Sequence, residues 1–236
     1  MSRDRSRMNI RFIEETGSTN ADLLADPSAI EGDWLVALRQ TSGRGRRGRA
    51  WESPLGNLYA STRVTLRTND PPAQTLSFVA AWSLWGAAGV SCASFKWPND
   101  IMVGDRKLAG ILLERSGDII VAGFGLNVKR APEVPGRLTT NVDEWRSEAA
   151  DVRTIVSDLS LMFADSLARW RTEGFDLFRR LWMSEGPIIG DRLKVDLGNG
   201  MTVEGAYSGL ADDGALKLTL ASGKVELVHA GEVSPS

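Results

Sequence analysis

Cysteine and histidine are almost missing from this chain of 236 residues, which holds one of each, Cys92 and His229. A single thiol excludes an internal disulfide framework, and the pair supplies too few ligands for a multi-cysteine or histidine-based metal centre. A Ser/His/Asp triad would depend on His229 alone. We read both residues as structural, Cys92 as a small core side chain and His229 as part of the last strand of a C-terminal barrel. Long apolar runs are also absent. The longest, Phe78 to Val90, is broken by Ser83 and falls short of the ~20 residues that a membrane helix needs. Met1 to Arg7 is polar and charged, with no apolar stretch behind it to form a signal peptide. A disordered arm at this end, a cytoplasmic location and no membrane partner are the expectations. The formal net charge is −2, so no global excess of basic residues draws the chain to nucleic acid.

Against that background the segment Gly43 to Arg49, Gly-Arg-Gly-Arg-Arg-Gly-Arg, stands out. Glycine lets a backbone turn closely around a ligand, and arginine supplies forked, permanently charged donors suited to phosphate or carboxylate. A solvated basic loop or a nonspecific RNA-binding segment would have a similar composition. The run is short, however, and flanked by Gln40 and Trp51 rather than repeated. No P-loop string occurs, and the nominal dinucleotide spacing in this segment is not followed by a helix.

The remaining pattern is strands and then helices, without regular βαβ alternation. Strands are expected at Ile10–Glu14, Trp34–Leu38, Leu58–Leu66, Ser94–Trp97, Leu108–Glu114 and Ile119–Leu126. A short helix capped by Ser18 or Thr19 runs through Leu24, and Pro71-Pro72 opens one to about Val90, with alanines and tryptophans on one side. Gln40 to Pro54 reads as free of regular structure. Helical stripes cover Asp151–Trp170 and Phe175–Met183. After Pro187 come short strand-like runs at Leu193–Leu197, Thr202–Ser208, Leu216–Leu220 and Val225–His229. They are separated by Asn199-Gly200, Asp213-Gly214 and Ser222-Gly223, turn signals of a small β-barrel. The expected fold is α+β, a mixed sheet packed against helices, in two units: residues 1–186 and 187–236.

Three further stretches carry candidate chemistry. Lys96 to Leu113 combines turn residues at Pro98-Asn99-Asp100 with a hairpin tip at Gly104-Asp105. Lys107 there enters an otherwise apolar strand, so its ammonium needs an anionic partner. Lys96 and Asp100 lie on the same ribbon. Gly17-Ser18-Thr19-Asn20 is either a helix cap or a row of neutral donors and acceptors. Gly123-Phe-Gly-Leu-Asn127 ends a buried strand with two glycines and an amide, explained equally well by close packing.

Taken in order, Gly-Ser-Thr-Asn (17–20), Gln40 with Gly43 to Arg49 and Trp51, Lys-Trp-Pro-Asn-Asp (96–100), Arg-Lys-Leu-Ala-Gly-Ile-Leu (106–112) and Gly-x-Gly-x-Asn-Val (123–128) closely resemble the biotin protein ligases. The resemblance covers about residues 10 to 185, and the tail is similar to that family's SH3-like C-terminal domain. It implies a class II synthetase/biotin ligase-like sheet and a two-step reaction. Biotin and ATP, with Mg²⁺, give biotinyl-5′-AMP, and the biotinyl group then passes to a lysine of a biotin carboxyl carrier domain. A lipoate or octanoate ligase or transferase of related fold is the alternative.

By the same resemblance Ser18, Thr19 and Asn20 contact the biotin ureido end, and Gln40, Arg44, Gly45 and Arg46 lie over biotin and the adenylate. Arg46, Arg49 and Lys107 neutralise phosphate and carboxylate oxygens, with Lys107 foremost in catalysis. Asp100 is a candidate for metal or for orienting the acceptor lysine, Asn127 contacts the nucleotide, Gly110 and Gly123 allow close approach to biotin, and Trp51 shields the adenylate. No metal ligands are assigned. Lys129 stands where members often carry a second asparagine. About nine residues precede the first strand, far fewer than a helix-turn-helix module needs, so no DNA partner is expected. A weak homodimer is left open.

Overall fold

The structure, a computed structural model, describes residues 9–198 and 200–235. The elements in chain order are β1 (Ile10–Thr16), α1 (Thr19–Ala25), β2 (Trp34–Gln40), β3 (Leu58–Thr65), α2 (Leu76–Ala88), β4 (Ser94–Lys96), β5 (Asp100–Val103), β6 (Arg106–Ser116) and β7 (Ile119–Leu126). They continue with α3 (Val152–Glu173), α4 (Asp176–Ser184), β8 (Arg192–Gly198), β9 (Met201–Leu210), β10 (Leu216–Thr219), β11 (Val225–Val228) and β12 (Glu232–Pro235).

Strands β1 to β7 form one sheet in the order β1-β2-β3-β7-β6-β5-β4. Only β1 and β2 pair in parallel, because α1 carries the chain back between them; the other neighbours are antiparallel. The mixed α+β sheet is therefore as expected. One face of it is covered by α2 and α3, with α4 packed against both helices, and the opposite face carries α1. Trp34, Phe124 and Phe163 tie α3 to the sheet, with ring centroids 5.3 and 5.9 Å from Trp34.

Several local expectations change. Helix α2 is buried on nearly every side rather than along one stripe, since the sheet, α3 and α4 all pack against it. Its two tryptophans, Trp82 and Trp85, stack on each other at 5.1 Å and stay half-buried. Cys92 is exposed and not a core residue: α2 ends at Gly89 (φ 62°), and the turn that follows faces solvent. Strand β5 was hidden behind turn residues, and its apolar run, Ile101 to Val103, is too short to read alone. The hairpin tip at Gly104 is present, with φ 58°.

The C-terminal strands make a second, antiparallel sheet in the order β11-β10-β9-β8-β12. This antiparallel sheet is consistent with the SH3-like unit expected, although among the described residues its end strands β11 and β12 are not paired to close a barrel. Strand β12 was not anticipated. His229 falls just past β11, exposed, with Nδ1 3.2 Å from Asp213 Oδ2. The expectations for Met1 to Arg7 and for Asn199 lie outside the described residues. The two sheets meet where Trp97 Nε1 donates to Gly214 O at 3.0 Å. Arg47 Nη2 likewise donates to Leu197 O at 3.1 Å.

Candidate functional site

Backbone register builds the floor of the site. Gly110 on β6 pairs with Gly125 on β7, and Leu112 with Gly123. A side chain at Gly123 or Gly125 would collide with what now lies on the sheet, and one at Gly110 would press tightly against it. A Cβ at Gly125 would come 2.5 Å from the Trp51 ring, and one at Gly110 3.1 Å from both Trp51 and Lys107 Nζ. At Gly123 it would overlap the Asn20 amide. Gly110 and Gly123 thus do permit close approach, but in this structure the approaching groups are the protein's own.

One end of the floor is neutral. Ser18 caps α1, and Ser18, Thr19 and Asn20 are all buried. Thr19 donates through N and Oγ1 to Gln40 Oε1 at 2.9 and 3.1 Å. Ser61 Oγ lies 2.6 Å from Asn20 Oδ1 and 2.7 Å from Thr19 Oγ1. Asn20 Nδ2 donates to Leu112 O at 3.2 Å. The cap and the polar row are therefore one feature, locked by a buried serine from β3 that no motif indicated.

The arginine segment forms the roof. It does contain regular structure: an Arg44–Ala50 bridge closes it, and residues Arg46–Gly48 make a single 3-10 turn. Gly45 N donates to Arg49 O at 2.7 Å, and Trp51 N to Gly43 O at 2.9 Å. Arg47 sits in the left-handed region (φ 57°, ψ 30°), a strained conformation for a residue with a side chain. Such strain clusters at ligand-handling loops. Arg46 Nη1 approaches Asn99 Oδ1 at 3.4 Å.

Lys107 lies beneath this roof, 9 % exposed, with Nζ 2.6 Å from Asp100 Oδ1 and 5.3 Å from the Trp51 ring centre. Burial pushes its pKa below the ordinary lysine value; Asp100 opposes that shift, while Arg137 and Arg49 add to it. Burial likewise lowers Arg46, with Asp100 opposing. The anionic partner that the sequence demanded for Lys107 is the carboxylate seven residues earlier, brought opposite by the β5–β6 hairpin.

Together these residues line one cleft that opens to solvent on one side. Its wall includes Ser18, Thr19, Asn20, Gln40, Arg44, Gly45, Arg46, Arg49, Trp51, Asp100, Lys107, Gly110 and Gly123. Asn127 is not among them. It is 1 % exposed, its Nδ2 donating to Thr140 O at 3.0 Å and Lys107 O at 3.4 Å, so it braces the wall from behind. Lys129 is held through its backbone, with the N–H groups of residues 128, 129 and 130 each 3.0 Å from Asn57 Oδ1. Lys96 also lines the cleft, as do two residues that sequence reasoning passed over, Arg137 and Glu232. Both come from stretches without any local motif: Arg137 is brought in by backbone pairing beside Lys107, and Glu232 by the packing of the second sheet on the first.

The cleft lining carries six cationic side chains (Arg44, Arg46, Arg49, Lys96, Lys107 and Arg137) and two carboxylates (Asp100 and Glu232). Trp51 Nε1 is buried with no partner among the described residues. Such a cleft, neutral at one end and strongly positive at the other, defines a binding site for small molecules that bring negative charge.

Comparison with known proteins makes the class specific. The family model "Biotin/lipoate A/B protein ligase family" matches residues 10–129. The chain is 33% identical over 238 residues to the biotin--[acetyl-CoA-carboxylase] ligase of Paracoccus denitrificans, covering 94% of this chain and 98% of that one. It is 34% identical over 233 residues to the enzyme of the same name from Mycobacterium tuberculosis, covering 94% and 86%. The biotin protein ligase of Aquifex aeolicus, solved with biotin and ATP, superposes with a TM-score of 0.84 at 28% identity, covering 97% of this chain and 99% of that one. The chain belongs to the biotin/lipoate A/B protein ligase family.

Proposed function

We propose that this chain is an ATP-dependent biotin ligase: it joins biotin to AMP and passes the biotinyl group to a lysine of a carrier domain of a biotin-dependent carboxylase. The observation that carries the residue assignment is the convergence of Lys107 and the arginine roof on one cleft, although they lie far apart in sequence. The acid group of biotin and the α-phosphate repel each other, and fixed cations offset that repulsion without reorganising as the reaction proceeds. In the first step a biotin carboxylate oxygen bonds to the α-phosphorus, and the bond to the bridging oxygen of pyrophosphate breaks. Lys107 and Arg46 stand over the atoms that gather charge. In the second step the acceptor lysine nitrogen attacks the biotinyl carbonyl and AMP leaves.

Ser18, Thr19, Asn20 and Gln40, locked by Ser61, form the neutral end that reads the ureido group. Arg44 and Gly45 cover the ligand, Trp51 closes the cleft against water, and Gly110 and Gly123 keep the floor low. Arg49 adds charge for the phosphates. Asn127 acts by bracing Lys107 rather than by touching the nucleotide. Asp100 holds Lys107 in place and lies where an incoming ammonium would be attracted.

These residues do not form a resident metal centre. Hard cations such as Mg²⁺ need oxygen ligands, and the two carboxylates of the cleft are both committed to cationic side chains. Mg²⁺ belongs to this reading as the companion of ATP. Residues 1–186 form the catalytic unit and 187–236 the C-terminal unit in this reading, set apart by the link between α4 and β8. None of the helices among the described residues is long and apolar enough to cross a membrane, which accords with a cytoplasmic site of action. DNA has no part in the reading.

Incubation with labelled biotin or labelled lipoate, ATP and a carrier domain tests it. Label should reach the carrier from biotin alone; transfer from lipoate and not from biotin would replace the proposal with the lipoate reading.

A further inference from the structure

Arg137 and Glu232, two charged side chains of the cleft, are paired with each other. Glu232, on β12 of the second sheet, accepts from two guanidinium groups at once. Arg49 Nη2 lies 2.8 Å from Oε2, and Arg137 Nη2 lies 2.7 Å from Oε1. Arg137 is placed by backbone bonds, since Lys107 N donates to Leu138 O at 2.9 Å and Thr140 N donates to Lys107 O at 3.0 Å. The segment that carries Arg137 therefore runs beside the strand that carries Lys107. Both arginines raise the local positive potential enough to disfavour the Lys107 ammonium. Their side chains remain 30% and 42% exposed, so an incoming anion can reach them.

Two forked donors converging on one carboxylate is the geometry that guanidinium groups adopt around an oxyanion. The charge balance points the same way. Six cations against two carboxylates leave the cleft with a surplus of positive charge, as a polyphosphate ligand requires. We propose that Arg137, together with Arg49, binds the β- and γ-phosphates of the nucleotide and holds pyrophosphate as it leaves. Glu232 keeps the two groups aimed at one point. The inference rests on the nucleotide reading above. When the α-phosphorus bond breaks, its electron pair goes to the departing pyrophosphate oxygen, and the two guanidinium groups face the charge that forms there.

Calorimetric titration of the full chain with inorganic pyrophosphate, with ATP and with biotin tests this, comparing wild type with Arg137→Gln and Arg137→Lys. Loss of charge-assisted bonds should weaken pyrophosphate and ATP binding in Arg137→Gln by about tenfold or more. Biotin affinity should not change, and Arg137→Lys should recover part of the loss. In steady state the KM for ATP should rise while that for biotin holds. Unchanged pyrophosphate affinity in Arg137→Gln overturns the assignment, as does weaker ATP binding with normal pyrophosphate binding. Failure of the wild type to bind biotin would instead strike the ligase reading and leave the pyrophosphate comparison legible.

Discussion

Two clusters of charge in this molecule are built on opposite principles. In the first, Arg171 at the end of α3 forks onto Glu31, with both N···O distances 2.8 Å, and Nε reaches Asp70 at 3.3 Å. Arg67 adds a second contact to Glu31 at 3.1 Å, and Arg171 also donates to Thr65 O. Two guanidinium groups meet two carboxylates, and the cluster is balanced within itself. In the second, under the arginine roof, cations outnumber carboxylates by four. A balanced cluster needs nothing from outside and fastens α3 to the loops beside β3. An unbalanced one has its counter-charge supplied by ligand, so charge surplus rather than charge density separates the site from the staple.

Substitutions in the two clusters should therefore fail differently. The largest effect is expected for Lys107→Ala. Adenylate formation, followed by pyrophosphate release, should fall on the order of a thousandfold, as when a preorganised donor is lost, with the urea midpoint little changed. Near-normal release would remove Lys107 from the chemistry. Arg46→Ala should weaken retention of the adenylate by ~2–3 kcal/mol through lost charge-assisted contacts, and an unaltered adenylate off-rate would refute that role.

Arg171→Ala should behave in the reverse manner. Its partly buried pair lies between the exposed and buried limits, so about 2 kcal/mol of stability should be lost in urea unfolding, while ATP–pyrophosphate exchange at 25 °C in the folded enzyme stays normal. A fall in exchange without a fall in stability would erase the contrast. The smallest effect concerns pH. Burial raises the Glu31 pKa, but the hydrogen bonds from Arg171 and Thr65 outweigh it and hold the carboxyl below its ordinary value of 4.5. Its contribution is thus full above that value and is lost as pH falls through the lowered one. Wild type should lose more stability than Arg171→Ala across that acidic window; parallel curves would show that Glu31 is not coupled to Arg171.

Much of the site was legible because its parts are local blocks. The Gly-Ser-Thr-Asn cap, the arginine roof and the Lys96–Asp100 turn are each contiguous, and each keeps its chemistry wherever the fold places it. The demand of Lys107 for a carboxylate followed from an ammonium inside an apolar strand, before any partner was visible. What stayed hidden depends on register and on packing between the sheets. Ser61 is one hydroxyl in an ordinary strand until β3 brings it under α1. Arg137 and Glu232 lie 95 residues apart, and nothing near either marks it as part of a cleft. Strand β5 is four residues long and follows turn chemistry, so its apolar run could not be told from the hairpin around it. Cys92 was misplaced because a small apolar-like residue after a buried helix reads as core, whereas the Gly89 turn carries it outward.

Biotin-dependent exchange of labelled pyrophosphate into ATP reports directly on the joining of a carboxylate to the α-phosphate in the cationic cleft. The account predicts rapid exchange when biotin is present, and only background exchange without it or with Lys107→Ala. Exchange that is indifferent to biotin, or that persists undiminished in Lys107→Ala, would contradict it.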